Sequence, residues 1–523
     1  TISCRSAQLY GSSERSIQRL TFPERTCKRE PDDPFHRPHS NMRNLSSITP
    51  TDDAGPADAA SDGGARMNRV ESIRTSLTHR IRAAIRGVNG HRTVRRVSVP
   101  VPVPVDAAAF LRVNGQAVST SPVPPSSGDS APLPGRTAST FWSGRGSDAS
   151  VAAVGVAEEL FSHAAPISAG DLESTVTERL QDLPDGARYF GGMRFDASQP
   201  RSRQRPAAEW AAFGTFRFVL PRFELIQEGG RSTLACNLVG PGDVRELDRV
   251  LEALDTLRLP ASQALPELPS PTGRRDVPTR EVWVQTIKHA LSQIESGDLE
   301  KIVMARRATL DHTGPLDPYA VLQHLAPATP NCFHFAFQYD DGPAFIGATP
   351  ERLFERSGRR VRSEAVAGTR SRASTEREDE ELREELMTSD KDQREHAYVE
   401  DAIHDTLSTY CDRVGSPDAR TDMRLRGGRH IWSRVAGTLK SGVSTGSLLS
   451  ALHPTPAVGG VPRERALDVI RSTEAFDRGW YAGPVGWIGR DDAEFAVAIR
   501  SELVDGSRLS LNSGAGIVRG SKP

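Results

Sequence analysis

Lysine is scarce in this chain of 523 residues, and one lysine begins an apolar segment. Six of the 66 basic side chains are Lys, and the others are Arg. Lys301 precedes the run Ile-Val-Met-Ala, which predicts a strand. A lysine at a strand end usually packs its stem and exposes its amine to water. If burial lowers its pKa instead, the neutral amine can act as a general base.

Two glutamates could supply a second proton-transfer group or a metal ligand. Glu351 lies where a predicted turn enters a strand, and a salt-bridged loop carboxylate is the ordinary alternative. Glu395 lies on a predicted helix, on which most glutamates face solvent. Val399 and Ile403 follow at spacings that place Glu395 at the margin of the buried stripe. Spacing alone leaves both roles open.

The C-terminal part offers two features suited to anions. Arg500 is embedded in the apolar segment 495–501, where a guanidinium is expected to meet a carboxylate of a ligand or of the protein. Gly514-Ala515-Gly516 predicts a turn whose N–H groups could hold an anionic oxygen. It is not a dinucleotide fingerprint, because only seven residues follow Gly516.

Strands and helices must position these residues, and the sequence predicts that they alternate along the chain. Alternating apolar patterns predict strands at 214–220, 222–226, 301–310, 333–339, 343–347, 351–356, 360–366, 493–503 and 507–513. Helical spacing predicts helices at 244–257, 283–294, 376–387 and 391–412. Strands of antiparallel type with helices between them indicate a large layered α+β fold.

The N-terminal region is expected to lack structure. Residues 1–92 are rich in Arg, Ser, Pro and Asp without apolar periodicity, so we expect disorder or a non-native leader. A basic helix at 68–90 would be solvated. Residues 93–270 are expected to form an N-terminal subdomain and 271–523 a catalytic subdomain, joined by a Pro-rich connection.

Composition excludes several classes of protein. The 66 basic and 67 acidic side chains nearly cancel, so no overall field attracts nucleic acid or an anionic membrane. The longest apolar runs are strand-sized and too short to span a bilayer. Five scattered cysteines suit a reducing cytoplasm. No His/Cys cluster has zinc spacing, and His430 is compatible with a core histidine.

Seven segments in the same order resemble the chorismate-utilising enzymes, specifically the isochorismate synthases of menaquinone and siderophore pathways. They are Lys301-Ile-Val-Met-Ala-Arg306, Gly347-Ala-Thr-Pro-Glu-Arg352, Glu364-Ala-Val-Ala-Gly-Thr369, Lys391-Asp-Gln-Arg-Glu-His396, His453-Pro-Thr-Pro-Ala-Val-Gly-Gly460, Phe476-Asp-Arg-Gly-Trp-Tyr-Ala-Gly483 and Ser513-Gly-Ala-Gly-Ile-Val518. The likeness spans roughly 95–520. It implies a large layered α+β domain of antiparallel sheets, flanked by helices, around a chorismate site with Mg²⁺.

The resemblance also implies roles for individual residues. Lys301 would be the general base that activates water for attack at C2 of chorismate, and Glu351 the general acid that protonates the departing C4 hydroxyl. The base must then be deprotonated and the acid protonated, each on its own face of the ring. Glu395 would be a ligand of Mg²⁺, which would neutralise the ring carboxylate. The remaining substrate-binding residues would be Arg500 with the backbone of Gly514, Ala515 and Gly516 for the carboxylates, and Gly368, Thr369, His430, Thr455 and Tyr481 for the pocket wall.

The sequence departs from the family pattern at its C-terminus. Relatives continue into a final helix that carries a second Mg²⁺-ligating Glu and a substrate-binding Lys, whereas this sequence ends at Gly520-Ser-Lys-Pro523. We therefore expect a truncated isochorismate synthase, either a fragment or an inactive remnant. One carboxylate fewer would weaken a Mg²⁺ site.

Related activities remain as alternatives. A salicylate synthase would form isochorismate and then eliminate pyruvate in the same pocket. Anthranilate and aminodeoxychorismate synthases use ammonia, usually from a glutamine amidotransferase, and anthranilate synthases generally lack a lysine at the position of Lys301. Both normally carry Asn-Pro-Ser-Pro-Tyr where this chain has Thr329-Pro-Asn-Cys-Phe-His-Phe335. The expected partner is therefore chorismate, without an amidotransferase subunit.

Overall fold

The computed structural model describes residues 59–86, 88, 90–115, 137–163, 169–197, 207–261 and 264–523. A compact unit contains residues 68–523. Residues 2–67 form a second unit, of which only the helical residues 59–67 are described.

Helices and strands follow the order that the sequence patterns indicate. The helices are α1 (Ala59–Ile85), α2 (Ala107–Asn114), α3 (Ala169–Leu180), α4 (Gly242–Arg245), α5 (Leu247–Thr256), α6 (Arg280–Glu295), α7 (Pro318–Ala328), α8 (Glu376–Thr388), α9 (Asp390–Tyr410), α10 (Thr445–Leu452) and α11 (Arg463–Thr473). The strands are β1 (Thr93–Pro100), β2 (Ala138–Ser143), β3 (Ser150–Ser162), β4 (Tyr189–Met193), β5 (Phe216–Glu228), β6 (Arg231–Gly240), β7 (Pro271–Val277), β8 (Lys301–His312), β9 (Phe333–Tyr339), β10 (Ala344–Thr349), β11 (Arg352–Ser357), β12 (Arg360–Ser371), β13 (Cys411–Val414), β14 (Thr421–Arg424), β15 (Gly428–Leu439), β16 (Gly460–Val461), β17 (Pro484–Ile488), β18 (Asp492–Val497), β19 (Ser501–Asp505) and β20 (Arg508–Val518).

The strands form one antiparallel network that branches at β5. Its main path is β7-β8-β20-β19-β10-β9-β2-β3-β5-β4-β17-β18-β11-β12-β15. The strand β6 joins β1 to the other half of β5, β16 pairs with β8, and β13 and β14 pair with β15. Strands on both sides of residue 270 are thus paired with one another, as β2 with β9 and β4 with β17.

Apolar side chains lie in three layers because successive residues of a strand face opposite sides of a sheet. An inner layer contains the alternating aromatic residues of β9, from Phe333 to Tyr339, together with Phe345 of β10. Ala336, which lies between those aromatics, packs instead in a distal layer with residues of α1, α2, α5 and α7. A site-side layer lies under α3, α6, α9, α10 and α11. The strand β9, which alternation predicts as half-buried, is therefore buried on both faces.

The expectation of disorder over 1–92 is wrong for the described residues from 68 onward. In α1, Ile73, Leu77, Ile81 and Ile85 recur at four-residue spacing and are buried in the distal layer. Burying each such side chain contributes ~1.5–3 kcal/mol, which offsets the ordering of an otherwise polar helix. The sequence pattern is diluted by Arg and Ser, and residues 1–58 lie outside the described part.

Two C-terminal predictions also need correction. The strand predicted at 493–503 is divided into β18 and β19, and Arg500 between them has φ of 51°, in the left-handed region. The segment 514–516, predicted as a turn, lies inside β20, where Gly516 pairs with Val303 of β8. A small residue in a strand often permits close approach of a neighbouring group, and the sequence pattern does not separate this from a turn.

Other sequence expectations concern membranes and cysteines. Within the described residues, none of the helices has the length and apolarity needed to cross a bilayer. Cys236, Cys332 and Cys411 are buried free thiols. Cys4 and Cys27 lie outside the described residues.

Candidate active site

Lys301 is the first residue of β8, and its whole side chain is buried. It is 0% exposed, so the alternative of a strand-end lysine with a solvated amine does not apply. Its Nζ lies 3.5 Å from Glu395 Oε1, a distance too long for a strong hydrogen bond. Burial lowers the pKa of Lys301 against the opposing effects of Glu395 and Glu351. The amine is therefore biased towards its neutral, basic form.

Glu395 reaches Lys301 from α9. The helix begins at Ser389, whose side chain accepts a hydrogen bond from the Asp392 amide. The Glu395 side chain is 13% exposed, at the margin of the buried face as predicted. A Cβ on Gly516 would lie 2.2 Å from Glu395 Oε1, so a larger residue here would displace this carboxylate from its present position. Gly516 thus serves the site through close approach.

Glu351 lies between β10 and β11, and neighbouring strands fix its backbone. Its amide donates to Thr349 Oγ1 at 3.3 Å, and its carbonyl accepts from the Val497 amide at 3.0 Å. The side chain is buried. Burial raises the pKa of Glu351 to about 8, with Lys301 lowering it and Glu364 raising it. At neutral pH this carboxyl group therefore holds a proton.

Glu364 is a buried anion near Glu351. The sequence assigned it no role of its own, since it enters only as the first residue of the segment 364–369. Its carboxylate accepts hydrogen bonds from Arg145 Nη2 at 2.6 Å, Arg352 Nη1 at 2.8 Å and Trp432 Nε1 at 3.0 Å. Burial alone would raise the pKa of Glu364, but Arg145 and Arg352 outweigh it and lower the pKa. The signal available in the sequence was a charged residue, Glu364, directly before the apolar run Ala365-Val366-Ala367 of β12.

His430, Thr369 and Gly368 form a second cluster with Arg500. Arg500 Nη2 donates to His430 Nε2 at 2.8 Å, so the neutral ring carries its proton on Nδ1. That nitrogen lies 3.2 Å from the Gly368 carbonyl oxygen and 3.0 Å from Thr369 Oγ1. Burial and the charge of Arg500 lower the pKa of His430 to about 3. The imidazole is therefore a fixed, neutral support for the guanidinium.

Arg500 keeps its charge available for a ligand. In the described part of the chain its side chain bonds to His430 and to no carboxylate. Its left-handed backbone is a conformation that costs a non-glycine residue ~1–3 kcal/mol and concentrates at functional sites. The solvent-exposed guanidinium can therefore pair with an incoming anion.

The other residues predicted to bind substrate lie in β20 or in the segments that precede β16 and β17. Tyr481 is buried, and a Cβ on Gly514 would lie 3.2 Å from its hydroxyl oxygen. Thr455 Oγ1 is buried without a hydrogen-bond partner among the described residues, so it could meet a polar ligand atom. The side chain of Ala515 packs against the site-side layer, which leaves only its backbone for a ligand.

Comparison with known proteins agrees with this geometry. Residues 130–523 match the sequence model of the family described as chorismate binding enzyme. The chain belongs to that family. It is 36% identical over 384 residues to isochorismate synthase 2, chloroplastic, of Arabidopsis thaliana, which covers 72% of this chain and 67% of that protein. It is 35% identical over 351 residues to the isochorismate synthase MenF of Bacillus subtilis, with 66% and 73% covered.

A solved structure supports the chorismate-binding fold. The menaquinone-specific isochorismate synthase MenF of Escherichia coli has a TM-score of 0.70 and 27% sequence identity, covering 87% of this chain and 95% of that one. The resemblance inferred from the seven segments and the layered α+β class are both confirmed.

For a chorismate-binding enzyme, the possible metal ligands are sparse. Within the described ranges, no group of three or more His, Cys, Asp or Glu side chains could hold a metal ion. Glu395 offers one carboxylate, with Lys391 Nζ 4.0 Å away. Oxygen donors suit Mg²⁺, which often takes one or two protein carboxylates and completes its shell with water and substrate oxygens. The residues present thus offer one carboxylate to a Mg²⁺ ion, and the rest of its shell would have to come from water and substrate oxygens.

Proposed function

We propose that this chain is an isochorismate synthase, which adds water at C2 of chorismate and removes the C4 hydroxyl group. The observation that carries the proposal is the pair of buried groups Lys301 and Glu351. The pKa of the lysine is lowered, and the pKa of the glutamate is raised to about 8. One neutral base and one protonated acid are what this exchange of hydroxyl groups requires.

The proton transfers balance across the substrate. Lys301 takes a proton from the water whose oxygen bonds to C2, while the ring double bonds shift. Glu351 gives its proton to the C4 oxygen as the C4–O bond breaks, so the leaving group is water rather than hydroxide. The enzyme then carries a protonated Lys301 and an ionised Glu351, so Lys301 must release a proton and Glu351 must take one up before the next cycle.

Binding of the dianionic substrate is assigned to a second set of side chains. Arg500, oriented by His430, would form a charge-assisted pair with one carboxylate. Among the described residues the hydroxyl of Thr455 has no partner, and it and the hydroxyl of Tyr481 would donate hydrogen bonds to the remaining oxygens. Glu395 would hold Mg²⁺, which when bound neutralises the ring carboxylate. Within this proposal, chorismate is the small-molecule partner and ammonia is not needed.

The test is a product analysis of purified protein incubated with chorismate, with and without Mg²⁺. We expect isochorismate as the product, and its loss on chelation of Mg²⁺ would support the assignment to Glu395. Salicylate with pyruvate as main products would move the chain to the salicylate synthases. Product formation that depends on ammonia would overturn both activities.

A further inference from the structure

One edge of β8 is completed by side chains instead of a strand. The strand β16 pairs with Lys301 and Ile302, and β7 pairs with β8 from Arg307 onward. Between these pairings, Arg478 Nη2 donates to the Val303 carbonyl at 2.8 Å. The Ala305 amide donates to Glu474 Oε1 at 2.7 Å. The two side chains thus provide the acceptor and donor that a neighbouring strand would otherwise supply.

Arg478 and Glu474 form a buried ion pair with little freedom. Each side chain is 4% exposed, and Arg478 Nε donates to Glu474 Oε2 at 2.8 Å. Arg478 Nη1 donates to the Val458 carbonyl at 2.9 Å, so all three guanidinium nitrogens are engaged. The guanidinium also lies 4.1 Å from the centre of the Phe195 ring. A lysine could not reproduce this planar set of donors.

The segments that meet at Arg478 are the ones that carry site residues. Val303 is two residues beyond Lys301 on β8. Val458 ends the turn that begins at Thr455, whose carbonyl accepts from the Val458 amide at 3.1 Å. The Tyr481 amide donates to the carbonyl of Arg478 itself at 2.9 Å. The Arg478 side chain therefore joins two segments of the pocket wall, and its backbone carbonyl bonds to the third.

We infer that Glu474 and Arg478 are positioning residues, which hold Lys301 in register with Thr455 and Tyr481. They touch backbone rather than substrate, and they act through the placement of β8. A displacement of about 1 Å at a reacting group can cost ~10²-fold in rate even when the fold is intact. This inference rests on the proposed function of Lys301.

A neighbouring ion pair supplies a matched control. Arg471 of α11 bonds to Asp196 through Nε at 2.6 Å and Nη2 at 3.0 Å, and both residues line the same cavity as Arg478. These contacts involve none of β8, the Thr455 turn or Tyr481. Arg478→Lys therefore changes an arginine that bonds to the backbone of the site. Arg471→Lys makes the same chemical change in an ion pair with Asp196.

The experiment compares kcat and KM for chorismate in both variants, below their melting temperatures. We expect kcat to fall ~10²-fold in Arg478→Lys with KM changed less than about threefold, and Arg471→Lys to stay within about twofold of wild type. Glu474→Gln keeps an acceptor for the Ala305 amide and should lose only ~10-fold. Should Arg478→Lys fail to fold, Glu474→Gln carries the same comparison.

Hydrogen exchange separates this inference from the proposed function. We expect the Ala305 amide to exchange at least about tenfold faster in Arg478→Lys than in Arg471→Lys. If exchange is faster in Arg478→Lys but the wild-type chain makes no isochorismate, the proposed activity is refuted and the fixing of β8 is retained. Equal exchange in the two variants, or equal losses of kcat, would overturn the positioning role.

Discussion

Lys301 and Glu364 are both buried charged-type residues near Glu351, yet their surroundings differ. Three donors, from Arg145, Arg352 and Trp432, satisfy Glu364, and the pKa of Glu364 is lowered. Among the described residues, Lys301 has one charged partner, Glu395 at 3.5 Å, and its pKa is lowered, which for an amine favours the uncharged form. Burial with partners thus gives a fixed ion, whereas burial without them gives a group that is ready to exchange a proton.

Removing the charge of Glu364, the buried group that has hydrogen-bond partners, should produce the largest change in stability. Glu364→Gln leaves the buried guanidinium groups of Arg145 and Arg352 without their shared anion, so we expect a loss of ~3–5 kcal/mol in unfolding free energy. Urea denaturation measures it. Glu380→Gln is the control, because Glu380 pairs with Arg383 at 2.6 Å on the exposed side of α8, away from Arg145 and Arg352. Similar losses in both variants would show that the Glu364 network has no special weight.

Replacing Lys301 or Glu351 should affect turnover more than stability. We expect Lys301→Ala and Glu351→Gln each to lower kcat at least ~10²-fold, with a smaller change in KM, because positioned proton transfer is lost. Steady-state assays of chorismate consumption measure both constants. Lys440→Ala is the control, since its Nζ bonds to the Thr409 carbonyl at the surface. Near wild-type turnover in folded Lys301→Ala would remove Lys301 from the mechanism.

Arg500 should separate binding from proton transfer. In Arg500→Ala the charge-assisted pair with a substrate carboxylate is lost, so KM should rise ~10-fold and kcat should change less. Arg490→Ala serves as control, because Arg490 makes its ion pairs on an exposed turn. An unchanged KM in Arg500→Ala would assign the carboxylate to another residue.

The pH profile should show the two unpaired groups together. Glu351 loses its proton as pH rises through about 8, and Lys301 gains one as pH falls through its lowered pKa. Because the reaction needs the protonated acid and the neutral amine, kcat should fall on both sides of an optimum. A plateau that extends well above pH 8 would contradict the role of Glu351.

The smallest effect concerns stability. Glu351 has a folded-state pKa of about 8 against an ordinary value of 4.5, so between these pH values the unfolded chain releases a proton that the folded chain retains. Stability should therefore fall as pH rises between these values, and the stability advantage of Glu351→Gln over wild type should be larger at pH 8 than at pH 5. Unfolding at pH 5 and pH 8 tests this. An advantage that is equal at both values would exclude titration of Glu351 as its cause.

Local patterns predicted much of the fold and less of the site. Period-two alternation was sufficient for β9, and helical spacing placed α8 and α9 within two residues. The roles of Lys301 and Glu351 stay predictions, although the structure places both in the core. Arg145 was missed because its partner Glu364 lies far along the chain, and only tertiary structure joins them. The break at Arg500 was missed because a left-handed backbone has no signature in an apolar segment that lacks glycine.

The interleaved sheet has a consequence for how the protein must be made. The strand β4 is completed on one side by β17, and β2 is completed by β9, so early strands depend on partners that the ribosome produces much later. Until then, those edges present unpaired backbone groups that can template aggregation. Expression of residues 93–270 alone should therefore give insoluble material, and slow elongation in the second half of the message should lower the yield of folded enzyme.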